Sequence, residues 1–197
     1  MDEEVPIIEC IQLSSDDEVS NQSFEESLDC SCVICPNPGC PKRVPLHMLG
    51  PHVYRDGCTR PAIWNQQNLG KFSKVQDMSV IESHTKYTPD LIVYGGKLFF
   101  LKIERIEADG IWIIYIQMAA EEFETFDYRA EVTLFSLKSG PEGKPSVKSA
   151  LSVVPIRTET KEEVADQGYC CVLPSAMATR MNVSQILGIQ VFIIRSR

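Results

Sequence analysis

Cys30, Cys32, Cys35, Cys40, His47 and His52 crowd into one Pro-rich stretch, and Cys58 closes it as a seventh candidate ligand. Thiolates and imidazoles at this density are metal-binding chemistry. A structural zinc ion takes four soft or borderline ligands in a tetrahedron, supplied as two close pairs. The spacing Cys35-x4-Cys40-x11-His52-x5-Cys58 offers two such pairs, with His47 as an alternative to His52 that spacing alone leaves open. Cys30 and Cys32 stand too close together for the usual knuckle, and with His47 they make only three ligands, so they read as free thiols. Within the first knuckle, Gly39 is expected to take a positive φ that brings the second thiolate around. Pro45 is expected to open a short helix on which Leu49 and His52 lie three apart, and Pro51 to interrupt it. A finger this small has almost no core of its own, so the metal is expected to supply most of its folding free energy.

A second pattern lies near the N-terminus, in Ile7-Ile8-Glu9-Cys10-Ile11-Gln12-Leu13-Ser14-Ser15-Asp16-Asp17-Glu18. Extended apolar side chains followed at once by serines and acids resemble a SUMO-interacting motif. The physical logic is β-augmentation: Ile7, Ile8, Ile11 and Leu13 add a strand to an exposed sheet edge while Asp16, Asp17 and Glu18 meet a basic rim. Ser14 and Ser15 have acids three residues downstream, so an acid-directed kinase would add charge there. Residues 1–29 hold ten acids and no Lys or Arg, leaving 17 acids against 19 bases in the rest. The net charge of −8 therefore describes an acidic arm on a nearly neutral body. One apolar island cannot offset the ordering entropy of such a segment, so the arm is expected to be disordered when unbound.

Other chemistries find little footing. There is no nucleophile elbow and no Gly-rich phosphate loop, and His84 sits alone in a polar stretch. Cys170-Cys171 lies in an apolar strand and reads as buried thiol. Glu121-Glu122-Phe123-Glu124 reads as a solvated loop between strands, and Trp64 and Trp112 as packing residues, since no basic cluster interleaves with either. Lys42, Arg43, Arg55 and Arg60 are too modest a patch to carry nucleic-acid binding. The 197 residues suit one medium domain with attachments. No apolar run approaches the roughly 20 residues that span a bilayer, and the acidic N-terminus is unlike a signal peptide. An intracellular protein is expected, in nucleus or cytoplasm, with its eight cysteines as thiols or ligands and not as disulfides.

The elements that position these residues are mainly β. Strand-like runs cover Leu91 to Tyr94, Lys97 to Ile106, Ile111 to Met118, Tyr128 to Leu137, Ser146 to Val154, Tyr169 to Leu173 and Gly188 to Ile194, which suggests an antiparallel β-sandwich. Ile111 to Met118 is apolar on both faces except at Gln117, as for a central strand, whereas Tyr128, Ala130, Val132 and Leu134 oppose Arg129, Glu131 and Thr133, as for a strand solvated on one side. Pro174 to Met181 is the single helical candidate of this half, and weak alternation around Phe72 to Ile81 suggests one further strand. The organisation is thus an arm at 1–29, a zinc finger at 30–62, a connecting segment at 63–90 and a sandwich at 91–197.

The run from Cys35 through Val44-Pro45 and Leu49 to His52 and Cys58 resembles a TRAF-type zinc finger. The half that follows is similar to the TRAF-like domain of the seven-in-absentia family, in Asp109-Gly110 ahead of Ile111 to Gln117, in Phe126-Asp127-Tyr128-Arg129-Ala130-Glu131, and in Leu187-Gly188-Ile189-Gln190-Val191. The resemblance implies zinc held by Cys35, Cys40, His52 and Cys58, an eight-stranded TRAF-like sandwich, a tendency to dimerise and capture of extended peptides from substrates destined for ubiquitination. Members of that family usually carry a RING and a second finger, neither of which is seen in this sequence. The reading is therefore a non-enzymatic adaptor that binds SUMO or sumoylated partners through the arm and a peptide or protein through the sandwich. The alternative is a RING-less accessory subunit or divergent member of a seven-in-absentia-type ubiquitin ligase.

Overall fold

Period-two alternation leaves each of these chain segments with an apolar face, and two such faces pressed together make the core. A computed structural model describes residues 32–58, 60–61, 71–77, 88–136, 146–156, 160–177 and 186–196. The strands are β1 (Cys32–Ile34), β2 (Arg43–Pro45), β3 (Arg60–Pro61), β4 (Lys71–Asp77), β5 (Asp90–Tyr94), β6 (Lys97–Ile106), β7 (Ile111–Met118), β8 (Tyr128–Ser136), β9 (Ser146–Ser152), β10 (Val154–Pro155), β11 (Cys171–Pro174) and β12 (Ile186–Arg195). The described residues include the short helices α1 (Leu49–Arg55), α2 (Glu122–Thr125) and α3 (Lys161–Asp166). The arm, with its SUMO-motif residues, lies outside the described residues, as do Cys30, Trp64 and His84.

The chain is mainly β and antiparallel, as expected. One sheet runs β4-β12-β8-β9; the other runs β3-β5-β6-β7, with β10 and β11 sharing the far side of β7. Among the described residues only the short pairings β10–β7 and β3–β5 are parallel. Between the sheets lie Phe99, Trp112, Ile114, Val132, Leu134 and Ile189, all buried in one cluster. The rings of Phe99 and Tyr128 meet edge to face at 5.3 Å, a favourable arrangement of their quadrupoles. Trp112 is a packing residue, with the Arg105 guanidinium 5.6 Å above its ring.

The apolar character of β7 on both sides has a direct cause. Its outward residues Ile113 and Tyr115 are buried under Val164 of α3 and Cys170, so this sheet is covered on its outer face as well. The β4-β12-β8-β9 sheet is solvated outside: Arg129 and Glu131 are exposed while Tyr128, Ala130, Val132 and Leu134 point inward. Phe135 is also outward yet buried, because its ring lies over its cross-strand neighbour Gly188, where a Cβ would collide with it.

Several expectations are corrected. Helix α3 was not foreseen, although Thr160 and Glu163 form a reciprocal capping box at its start whose T-x-x-E signature is present in the sequence. Residues 121–124, read as a loop, begin the capped helix α2. The run Ser146 to Val154 is split at Val153: β9 pairs with β8, and β10 crosses to β7 in the other sheet. Consecutive buried residues Val153 and Val154 mark this crossing, since a strand within one sheet would alternate. Pro174 belongs to β11, and only a single helical turn at 175–177 follows within the described residues.

Lys74 of β4 and Asp90 of β5 form an ion pair at one edge of the sandwich, each side chain only 12% exposed. An inward-pointing charge also discourages edge-to-edge pairing. Asp90→Leu removes one half of this largely buried pair and is expected to cost about 3–5 kcal/mol in urea unfolding. Combining it with Lys74→Met should restore most of that loss, because two apolar side chains leave no charge to solvate.

Candidate metal centre

The first half of the finger is a hairpin, β1 against β2, with Cys35 just past β1 and Cys40 just before β2. The Cys35 amide donates to the Lys42 carbonyl at 3.0 Å and the Cys40 amide to the Asn37 carbonyl at 2.9 Å. Gly39 does not take a positive φ, contrary to expectation. The Asn37 side chain closes the turn instead, its Oδ1 accepting the Gly39 amide at 2.9 Å, the local Asx bonding that asparagine favours.

The second half begins with a 3-10 turn over Leu46–Met48 and continues as α1. Pro51 does not interrupt this helix. It is the third residue of α1, in the first turn, where a backbone N–H has no acceptor inside the helix and its loss costs little. Leu49, His52 and Val53 share the buried face. The Asp56 amide donates to the His52 carbonyl at 3.0 Å, and Gly57, at φ 63°, turns the chain back so that Cys58 returns to the cluster. This is a left-handed termination for which glycine is the least strained residue.

These turns bring Cys35, Cys40, His52 and Cys58 together, their ligand atoms all within 4.8 Å of one another. His47 and the exposed Cys32 are not part of the group. Cys40 Sγ stands 3.5 Å from His52 Nε2. A tetrahedral zinc with bonds of about 2.3 Å to sulfur and about 2.1 Å to nitrogen would place those atoms about 3.6 Å apart, so the geometry fits such an ion. The backbone amides of Asn37 and Lys42 favour the ionised forms of Cys35 and Cys40 respectively. Burial pushes the Cys35 thiol up to about 12 and raises Cys58 as well, whereas Cys40 is brought down to about 7, chiefly by the Lys42 amide. A cation is the charge that would let three neighbouring sulfurs ionise together.

Two residues that the sequence reading did not assign complete the surroundings. Asp56 Oδ2 lies 2.9 Å from His52 Nδ1 and 2.7 Å from Lys42 Nζ. Lys42 first, and His52 after it, hold the Asp56 carboxyl below the usual carboxylate range. The His52-x3-Asp56 spacing, one helical turn, was the available signal; Lys42 had been read only as part of a basic patch.

The finger is not left without a core. Val33, Leu49, Val53 and the ligands Cys35 and Cys58 cluster with Leu91, Phe100 and Ile156 of the sandwich, so the finger roofs part of the outer face of the second sheet. The class of protein defined so far is an antiparallel β-sandwich carrying a Cys3His site fused to one sheet. Comparison with protein-family models and with curated proteins found no match to this chain. No helix among the described residues is long and apolar enough to cross a membrane.

Gly57→Val forces a β-branched residue into the left-handed region at a cost of about 2 kcal/mol, expected to lower the thermal midpoint of the chain by about 4–8 °C. Stripping the metal with a chelator is expected to loosen the finger from Leu91 and Phe100, read as increased binding of an apolar dye. Unchanged dye binding would show that packing alone holds the roof in place.

Proposed function

We propose that the chain is a non-enzymatic adaptor: its arm reads SUMO or a sumoylated partner, its sandwich binds a second protein or peptide, and zinc in the Cys3His site is structural. The observation that carries the reading is the order of features in Ile7 to Glu18, apolar core, then serines, then acids, within a segment that has no basic residue. Zinc is the ion that three thiolates and one imidazole in a closed tetrahedral set favour. Fusion of the finger to the sheet supports a scaffold role, since it leaves the rest of the sandwich surface for partners.

One concave surface suits the second partner. A groove of about 720 Å³ runs along the end of the sandwich, with Glu122, Phe126, Arg129, Pro155 and Tyr169 among its walls. Phe126 is 73% exposed, and Phe123 beside it is nearly as open. Exposed aromatic side chains on a rigid mount are the usual anchors of protein contacts. The mount here is α2, held by its capping box and by the ion pair of Glu124 with Lys97.

Titrating labelled full-length protein with free SUMO is expected to shift NMR signals from Ile7 to Glu18 alone. Replacing Ile8, Ile11 and Leu13 by alanine should abolish those shifts and leave thermal unfolding unchanged. No shifts at high SUMO concentration would reduce the arm to a solvating tail. The ligase alternative is tested by autoubiquitination of the purified chain with a charged conjugating enzyme, for which a negative result is expected.

A further inference from the structure

A neutral imidazole has one N–H and one lone pair, so whichever ring nitrogen carries the proton decides whether the other can bind a metal. In the finger, Nε2 of His52 faces the thiols and Nδ1 faces a carboxylate oxygen 2.9 Å away. An ionised carboxylate only accepts hydrogen bonds. Nδ1 therefore carries the proton, and the Nε2 lone pair is aimed at the space between the sulfurs. We propose that Asp56, strapped by Lys42, is a positioning residue that fixes His52 in its metal-binding tautomer and orientation and thereby sets the cluster's affinity for zinc. The inference rests on the metal reading above.

The strap is built on the local chain. Asp56 follows His52 by four residues at the end of α1, and it bonds His52 twice: its amide to the His52 carbonyl and its side chain to the ring. Lys42 sits two residues past the ligand Cys40 and reaches the same Oδ2 oxygen from the other knuckle. The Lys42 carbonyl also accepts the Cys35 amide, and its backbone amide favours the ionised form of Cys40. One residue thus acts on Cys35 and Cys40 through its backbone and reaches His52 through Asp56.

The charge pair itself adds little to folding. Lys42 and Asp56 are 62% and 39% exposed, and ion pairs that open to water contribute little stability. Their effect falls on the ring between them, because outer-sphere carboxylates on metal-bound histidines raise ligand basicity and hold ring orientation. A merely structural Asp56 would show the opposite pattern, lost stability with unaltered metal affinity.

The test compares full-length wild type, Asp56→Asn, Asp56→Ala and Lys42→Met. Each is titrated with Zn²⁺ against a chromophoric chelator and with Co²⁺ followed by absorption, and each metal-free chain is unfolded in urea. Wild type is expected to take one equivalent with a tetrahedral Co²⁺ spectrum. Both Asp56 variants are expected to bind Zn²⁺ about 10–100-fold more weakly, and Lys42→Met to weaken it less, with metal-free unfolding midpoints unchanged throughout. Wild type that takes no metal would overturn the metal reading itself. Wild type that binds while both Asp56 variants match its affinity would overturn the positioning role alone, and so would a loss of metal-free stability in those variants without a loss of affinity.

Discussion

The six-stranded sheet buries apolar side chains on both of its faces, and the arrangement of the molecule answers the need to cover the second one. Its inner face meets the other sheet, as in any sandwich. Its outer face carries Leu91 and Phe100 at one end and Ile113 and Tyr115 at the other. Water at these side chains would be unfavourable by roughly 1.5–3 kcal/mol for each fully buried large residue. The chain covers them with two unlike devices: α3 with its capping box at one end, and the Cys3His finger at the other.

That arrangement gives the Cys3His cluster a role larger than ordering a small loop. Val33, Leu49 and Val53 face the sheet while Cys35 and Cys58 belong to the same buried cluster, so the ligands sit at the seam between finger and sandwich. Low dielectric at the seam keeps isolated thiols protonated, as the raised Cys35 and Cys58 show. The same low dielectric strengthens a cation's hold on them once they ionise. Backbone amides from Asn37 and Lys42 and the Asp56 carboxylate surround the cluster with oriented dipoles and charge, so that it is prepared before any ion enters.

The remaining surfaces divide the molecule by polarity. The solvated sheet carries Arg129, Glu131 and Lys148 on its outer face together with the part-exposed Phe192, with Phe135 folded over Gly188 instead of projecting outward. The most open aromatic side chains among the described residues, Phe123 and Phe126, stand at α2 beside the groove. The proposed adaptor role places one partner at a short extended motif on the arm and another at this rigid end, which lets the two contacts form independently.

Much of this was legible in the residues themselves. The long strands β6 and β7 were readable to their ends, and the inward face of β8 was correct residue by residue, because period-two burial writes directly into side-chain type. Cys35, Cys40 and Cys58 stood out by chemistry and spacing. Local signals also existed for what was missed, the capping box at Thr160 and the one-turn spacing of His52 and Asp56, but short helices carry too little periodicity to be seen without them. What the sequence could not express was anything depending on contacts between distant segments. Its spacing favoured His52 but left His47 open as an alternative; the path of α1, started at Leu49 with Pro51 in its first turn, aims the His52 imidazole at the thiols. It marked β7 as buried on both sides without saying by what. Tertiary structure decided that the finger would be one of the covers, since the energy of burying Phe100 beneath Leu49 exists only when the two are brought together in space.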